Sequence, residues 1–396
     1  MRISGIDIYR YLKPFEIEFH SSHTKRNNPD SLIIKIDFEN GLYGLGEAVP
    51  RHYVTGEDCT TVASVIHDCF VPVLFSNEIK TRRDVIGLLE ELENECGKSK
   101  VTSYNSALCA IEIALLDALG KLSSVPIGDF LGPTLRENIE YSVSVPFLST
   151  ETIMELYPMV KQFNFKHVKI LLVKDESENL ERVGLIRSLL GDEVNLQVEA
   201  NGSWTLREAL SNIENLKDFN INAVEQPLPV GDLDSLIELR KNIDIPIVLD
   251  ESICDLADAA EIMDMGAFDI INLKLSKCGG LIRSKEIADL ASSHNIKCQL
   301  GSHVGETAIL TNAGVHFAMT VPNVSHFAGS SFLLFQRSKR EEKSQQENMN
   351  NGYALDRYGL GLETGGDRII KDSRLMVSLN HGSGKKMSLI RGADPI

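Results

Sequence analysis

Around Lys169 to Lys274, four short segments recur, HVKILLV, LQVEANG, AVEQPLP and PIVLDES, and INLKLSKCGG follows them. Each opens apolar and β-branched, as a strand buried on both faces must. Each ends in a charged residue ahead of a polar loop and a helical pattern. The acids at these ends are Glu199, Glu225 and Asp250, about 25 positions apart, and the last segment carries Lys274. That spacing is the length of one strand–loop–helix–loop unit in a barrel where roughly 250 residues make eight units. The strand ends of such a barrel ring one face, so the three carboxylates converge on one point. Unpaired, they would repel each other. A hard divalent cation removes the repulsion, and an all-oxygen set with few protein ligands suits Mg²⁺ and admits Mn²⁺.

The chain of 396 residues is too long for one small domain and short of three, and its 43% apolar content supports a sizeable core. A formal charge of −16 argues against a nucleic-acid partner. The seven cysteines include no C-x-x-C pair and are read as reduced thiols of a cytoplasmic protein. The opening MRISGIDIYRYLK alternates like a strand and lacks the apolar run of a signal peptide. No run reaches membrane-spanning length. The expected partners are a small carboxylate substrate and further copies of the chain in a homo-oligomer, with no nucleic acid and no membrane.

Residues 3–13 and 31–49 are expected as strands, the second region turning at Glu39-Asn40-Gly41. Helical patterns run through 60–76, 81–97 and 102–121. The order of strands then helices predicts an α+β domain over 1–132. Two polar loops in it hold His20, His23, Lys25, Arg26, Arg51, His52 and Tyr53. They are either solvated loops or a lid that closes over a barrel mouth and recognises substrate. From Ile139 strand and helix alternate strictly, with strands at 139–147, 167–172, 195–200, 222–228, 245–250, 268–276, 296–302 and 324–328. This predicts a barrel domain over 133–335. Residues 336–396 are expected as a polar linker, RSKREEKSQQENMNNG, and a C-terminal segment packing back on the first domain.

The order HVK, EAN, VEQP, LDES and K-x-x-K-x-G-G resembles the enolase superfamily, in its muconate-lactonizing (muconate cycloisomerase) subgroup. GLYGLGEAVP is similar to that family's capping-domain hairpin, CAIEIALLDALGK to its helix into the barrel, and YGLGLET to its C-terminal segment. The resemblance implies an α+β capping domain on a modified (β/α)7β TIM-type barrel, with the C-terminal segment completing the cap. It implies Mg²⁺ on Glu199, Glu225 and Asp250, with Lys274 and Lys169 facing the ligand. It also implies removal of the proton α to a substrate carboxylate, giving a metal-stabilised enediolate, a chemistry that the superfamily exemplifies. His20, His23, Arg51, His52, Tyr53 and Asn201 are the expected substrate-binding residues.

The chain departs from the family pattern in three places. The usual second-strand motif is K-x-K, its second lysine an acid/base; here Leu171 follows Lys169 on the same strand face. The usual first ligand is Asp; Glu199 is one methylene longer. Dipeptide epimerases of the family carry Asp-x-Asp on the eighth strand, where this chain reads HFAGSSFLLF, which disfavours a dipeptide. His303 stands where the mandelate racemases carry a catalytic histidine, and it is either a second acid/base or a structural group. Glu306 is expected to start the next helix. The primary expectation is a one-base cycloisomerase or dehydratase (lyase). The alternatives are a racemase or epimerase of an N-acyl amino acid or related acid using His303, and a metal-binding member without turnover.

Overall fold

The computed structural model describes residues 1–21, 24–330, 357–362 and 365–381. His23, the linker 337–352 and the stretch after His381 lie outside the described residues. The chain opens with β1 (Ile3–Tyr11) and a small hairpin, β2 (Phe19–His20) with β3 (Lys25–Arg26). β4 (Leu32–Phe38) and β5 (Tyr43–Ala48) pair antiparallel around the Asn40-Gly41 turn, where Gly41 takes φ +81°. Eight strands then follow. They are β6 (Tyr141–Val145), β7 (His167–Leu171), β8 (Asn195–Glu199) and β9 (Ile221–Glu225). The others are β10 (Ile247–Leu249), β11 (Ile270–Leu273), β12 (Lys297–Gly301) and β13 (Val324–Ser330).

These eight close into a parallel barrel in chain order, β13 pairing with β6. A helix follows each of the first seven strands, which is the (β/α)7β arrangement. β14 (Ser373–Asn380) returns to pair antiparallel with β1, so the last described segment completes the cap sheet in the order β14-β1-β4-β5. The segment at Leu360 also docks on the cap helix, its N–H donating to Asp117 Oδ1 at 2.9 Å.

The helix Asn105–Ser123 joins the two parts. Its residues from Ser106 to Gly120 are all buried, as its near-continuous apolar surface requires. On one side it lies flat against β5. A Cβ on Gly44 would stand 1.9 Å from the Ala114 carbonyl oxygen, and one on Gly46 1.8 Å from that of Ala110, so the close approach needs both glycines. On the other side Asn105 Nδ2 donates to the Lys277 carbonyl at 2.7 Å.

Buried carboxylates fix cap to barrel at helix N-termini. Most barrel helices cap themselves, through Ser149, Asp175, Thr205, Asp232 and Asp255. Leu281–Ser293 starts at Gly280, which has no side chain to offer. Its acceptor is Glu112 of the cap helix, which takes the Ile282 N–H at 2.9 Å and occupies the space a Gly280 Cβ would fill. Burial pushes the Glu112 carboxyl up to about 8. Glu47 of β5 does the same for Ala308–Thr320, accepting from Thr307 N–H at 2.9 Å, Leu310 N–H at 3.2 Å and Thr307 Oγ1 at 2.7 Å. Glu57, in turn, receives Ser106 N–H at 2.9 Å at the start of the cap helix. Glu47→Ala strands buried donors on both domains. The expected cost is about 1–3 kcal/mol for each donor left without an acceptor, read as a lower denaturation midpoint.

Candidate active site

The carboxylates meet where β8, β9 and β10 end. Glu199 closes β8 and Glu225 closes β9. Asp250 stands one residue beyond β10. There strand alternation lapses, and the turn Asp250–Ser252 presents two consecutive acids. Gln226, at φ +38°, builds that turn: its Oε1 accepts the N–H of Asp250 at 3.0 Å and of Ser252 at 3.2 Å. Carboxylate oxygens of Glu199, Asp250 and Glu251 lie within 4.8 Å of one another. Asn201 bridges two of these acids, donating to Glu199 Oε1 at 2.6 Å and Glu251 Oε1 at 3.1 Å. That contact engages the amide of Asn201, one of the expected substrate-binding residues, with the acids. Glu251 is the acid the sequence reading passed over. Its signal was its place next to Asp250, just past the end of an apolar run.

Glu225 sits deeper and is fully buried. Its Oε1 accepts from Lys169 at 3.0 Å and Asn272 at 2.8 Å, and its Oε2 from Gln299 at 3.1 Å and from Gln197. Burial pushes this carboxyl up to about 8 despite the Lys169 charge. Lys169 also pairs with Glu199 at 2.8 Å. Burial alone would lower the Lys169 ammonium, but Glu199 and Glu225 carry it above the usual lysine value. Lys169 is thereby tied to both glutamates.

Lys274 follows β11, buried, with its Nζ donating to Asp250 Oδ2. Burial opposes the charge here too, yet Asp250, Glu199 and Glu251 hold this ammonium well above the ordinary value. Lys277 is fully buried and gives its protons to Asp250 Oδ1 at 2.9 Å, the Asp250 carbonyl at 2.6 Å and the Asn272 carbonyl at 2.8 Å. Burial would raise Asp250, but Lys274, Lys277 and Lys169 together keep it well below the usual carboxylate range. In the barrel order β7 lies four strands from β11 in either direction, so Lys274 and Leu171 come from opposite walls.

Leu171 packs into a separate apolar cluster with Phe15 and Phe19 of the cap, flanked by Phe147 and Val304. The His20 carbonyl accepts the Phe147 N–H at 3.3 Å, and Gly305 lies against Pro29, so the first cap loop does cover the C-terminal mouth. The second loop does as well: Val49 N–H donates to Ser276 Oγ at 2.9 Å. Arg51 in that loop is a clamp and not a free cation for substrate. It is buried, and its guanidinium is spent on the carbonyls of Pro50 at 2.6 Å, Pro29 at 3.1 Å and Val304. Burial pushes it down to about 10. His20 is paired with Glu18 at 2.6 Å, while His52 and Tyr53 are exposed.

His303 is buried, and its Nδ1 contacts the Val49 carbonyl at 2.7 Å, which sets the Nδ1–H tautomer. Its Nε2 has no partner. Burial, then the charges of Lys274 and Arg51, hold it neutral, well below the usual histidine value. It lies just past β12, the strand beside β11, and so on the Lys274 side of the barrel. Glu306 does not start the next helix. It accepts the His303 N–H at 2.6 Å, and Thr307 is the cap. Cys278 is buried in the turn after Lys274, and burial pushes its thiol up, which suits a structural role.

A parallel barrel with an acid cluster and facing lysines at its C-terminal end defines a class, the barrel enzymes that work on a ligand at the strand ends. The model of the family described as "Enolase C-terminal domain-like" matches residues 153–368, and that of "Mandelate racemase / muconate lactonizing enzyme, N-terminal domain" matches residues 6–132. The chain belongs to the mandelate racemase/muconate lactonizing enzyme family of the enolase superfamily. It is 28% identical to an L-Ala-D/L-Glu epimerase of Bacillus subtilis, over 85% of this chain and 90% of that one. It is 28% identical to muconate cycloisomerase 1 of Rhodococcus opacus, over 85% and 89%. A dipeptide epimerase of Enterococcus faecalis, solved with Mg and the dipeptide L-Leu-L-Tyr, superposes with a TM-score of 0.76 at 25% identity, over 86% of this chain and 93% of that one. No helix among the described residues is long and apolar enough to cross a membrane.

Proposed function

We propose that this chain is a Mg²⁺-dependent enzyme that removes the proton α to the carboxylate of a small acid from one face, completing a cycloisomerisation or an elimination. The observation that carries this reading is Leu171, set in an apolar cluster on the wall opposite Lys274. The all-oxygen acid cluster, with Glu251 Oε2 buried and unpartnered, fits a hard divalent cation. A divalent cation held by these acids would supply positive charge beside the substrate carboxylate and offset the acids around Lys274. Lys274 takes the α-proton. Lys169 stays charged and fixes Glu199 and Glu225. Leu171, Phe15 and Phe19 keep water and proton donors from the other face.

The relatives named as epimerases favour a second reading, inversion at the α-carbon. Inversion requires a donor on each face, and His303 follows β12, the strand adjacent to β11, rather than the opposite wall. β13 also carries no acid to hold a substrate ammonium. Incubation with a library of chiral carboxylic acids in D₂O separates the readings. One enantiomer is expected to take up deuterium at its α-carbon without inverting, or to leave as a one-faced product. Interconversion of both enantiomers at comparable rates would establish the epimerase reading instead.

A further inference from the structure

Arg182 is a buried cation apart from the acid cluster, on the helix Glu176–Leu190, and is 1% exposed. Among the described residues its guanidinium hydrogen-bonds to carbonyls and to no carboxylate. One nitrogen, Nη1, donates to the Leu171 carbonyl at 3.0 Å and Nη2 donates to the Pro146 carbonyl at 2.8 Å, while Nε is buried without a partner. Burial lowers this guanidinium, with Glu178 opposing. A buried charge without a counter-ion is costly, and a neutral side chain of similar volume would avoid that cost. What the charge achieves is visible at the strand ends. β6 and β7 pair in parallel up to Val145 and Ile170. Pro146 comes next, and it has no N–H to donate. On its other edge β7 continues against β8, where the Leu172 N–H donates to the Glu199 carbonyl at 2.9 Å. Arg182 closes the open edge, its planar fork spanning the two carbonyls. The same guanidinium lies 5.5 Å from the centroid of the Phe147 ring. It therefore ties down both barrel residues, Leu171 and Phe147, that meet Phe15 and Phe19 of the cap.

We infer that Arg182 is a positioning residue: it holds Leu171 and Phe147 as a rigid wall and so confines proton transfer to the Lys274 face. This rests on the one-face reading above and names the group that enforces it. Arg182 lies behind the wall and needs no contact with substrate. Its ties to the backbone set where the two side chains stand. A wall that cannot shift leaves no room on that side for water as a proton donor. Loss of the tie should therefore appear in the stereochemistry of the reaction, which a role in stability alone would not touch.

The probe is the library of chiral carboxylic acids in D₂O, with the full chain and Mg²⁺. The readout is the ratio between enantiomers, in the deuterated acid recovered or in the rates at which the two are consumed. Arg182→Met removes the fork and keeps much of the volume. It is expected to lower that ratio by about tenfold or more and to slow turnover by up to about 100-fold, the cost of a misplacement of about 1 Å. Arg182→Lys keeps the charge without the planar fork and should recover part of the ratio. Chemical denaturation of each variant shows whether it is folded. Should Arg182→Met fail to fold, Arg182→Lys decides alone: a ratio below the parent's supports the inference, and the parent's ratio overturns it. A folded Arg182→Met that keeps the parent's ratio, at whatever rate, also overturns it and leaves the arginine a structural role only. A parent that acts on no acid, or that handles both enantiomers equally, would instead remove the one-face reading, and this inference with it.

Discussion

Lys274→Ala is expected to slow solvent exchange of the substrate α-proton by roughly 10²–10⁴-fold, the usual contribution of a positioned general base. Lys274 is the lysine best placed for the task. It emerges at the end of β11, is buried, and touches the acid cluster through Asp250. Lys169 stands on the opposite wall, on β7, paired with Glu199 at 2.8 Å and Glu225 at 3.0 Å. Lys277 cannot replace Lys274 either, since its hydrogen bonds go to Asp250 and the Asn272 carbonyl and it has no exposed surface. The measurement is deuterium uptake by mass spectrometry, with Mn²⁺ affinity as a control. Affinity should hold or rise, because Lys274 no longer competes for Asp250. Exchange persisting within about tenfold of the parent would show that another group takes the proton.

Lys277→Ala should be the most destabilising single change near the site, at about 3–5 kcal/mol by chemical denaturation, the cost of breaking a buried ion pair from one side. Both Lys277 and Asp250 are fully buried. The loss also removes the hydrogen bonds that the lysine gives to the Asp250 and Asn272 carbonyls. Lys277→Met, which keeps most of the volume, should recover only the packing part. Saturating Mn²⁺ should return part of the remainder, since a cation on Asp250 replaces charge that the lysine supplied, and binding to the native state alone adds stability by mass action. If the methionine variant is as stable as the parent, the lysine acts by filling space and the electrostatic account is wrong.

Much of the frame was legible in the sequence because it rests on periodicity. Most of the barrel strands show as apolar or alternating segments between helical patterns, and the charged residue that closes β8 or β9 marks the mouth. The Leu171 departure was legible for the same reason, since alternation alone sets it on the Lys169 face. Partners were less accessible. Nothing in the composition of a loop says that the Arg51 guanidinium will be buried against three carbonyls, because that depends on where Pro29 and Val304 arrive. Nor does a pattern of period two reach Glu251, which lies past the strand end where the period stops. The four side-chain donors around Glu225 were equally out of reach, since they come from segments far apart in the chain.

The crossed carboxylates of Glu47, Glu57 and Glu112 carry a consequence for how such a chain diversifies. Each sits in one part of the fold and satisfies backbone donors at a helix start, and Glu47 and Glu112 do so across the junction of cap and barrel. Folding of the two parts is thereby made mutual, and the loops over the mouth contribute none of these three carboxylates except Glu57. Drift in the remaining loop positions can then alter which acid is admitted while the junction, and with it the relation between lid and proton-transfer wall, is inherited unchanged.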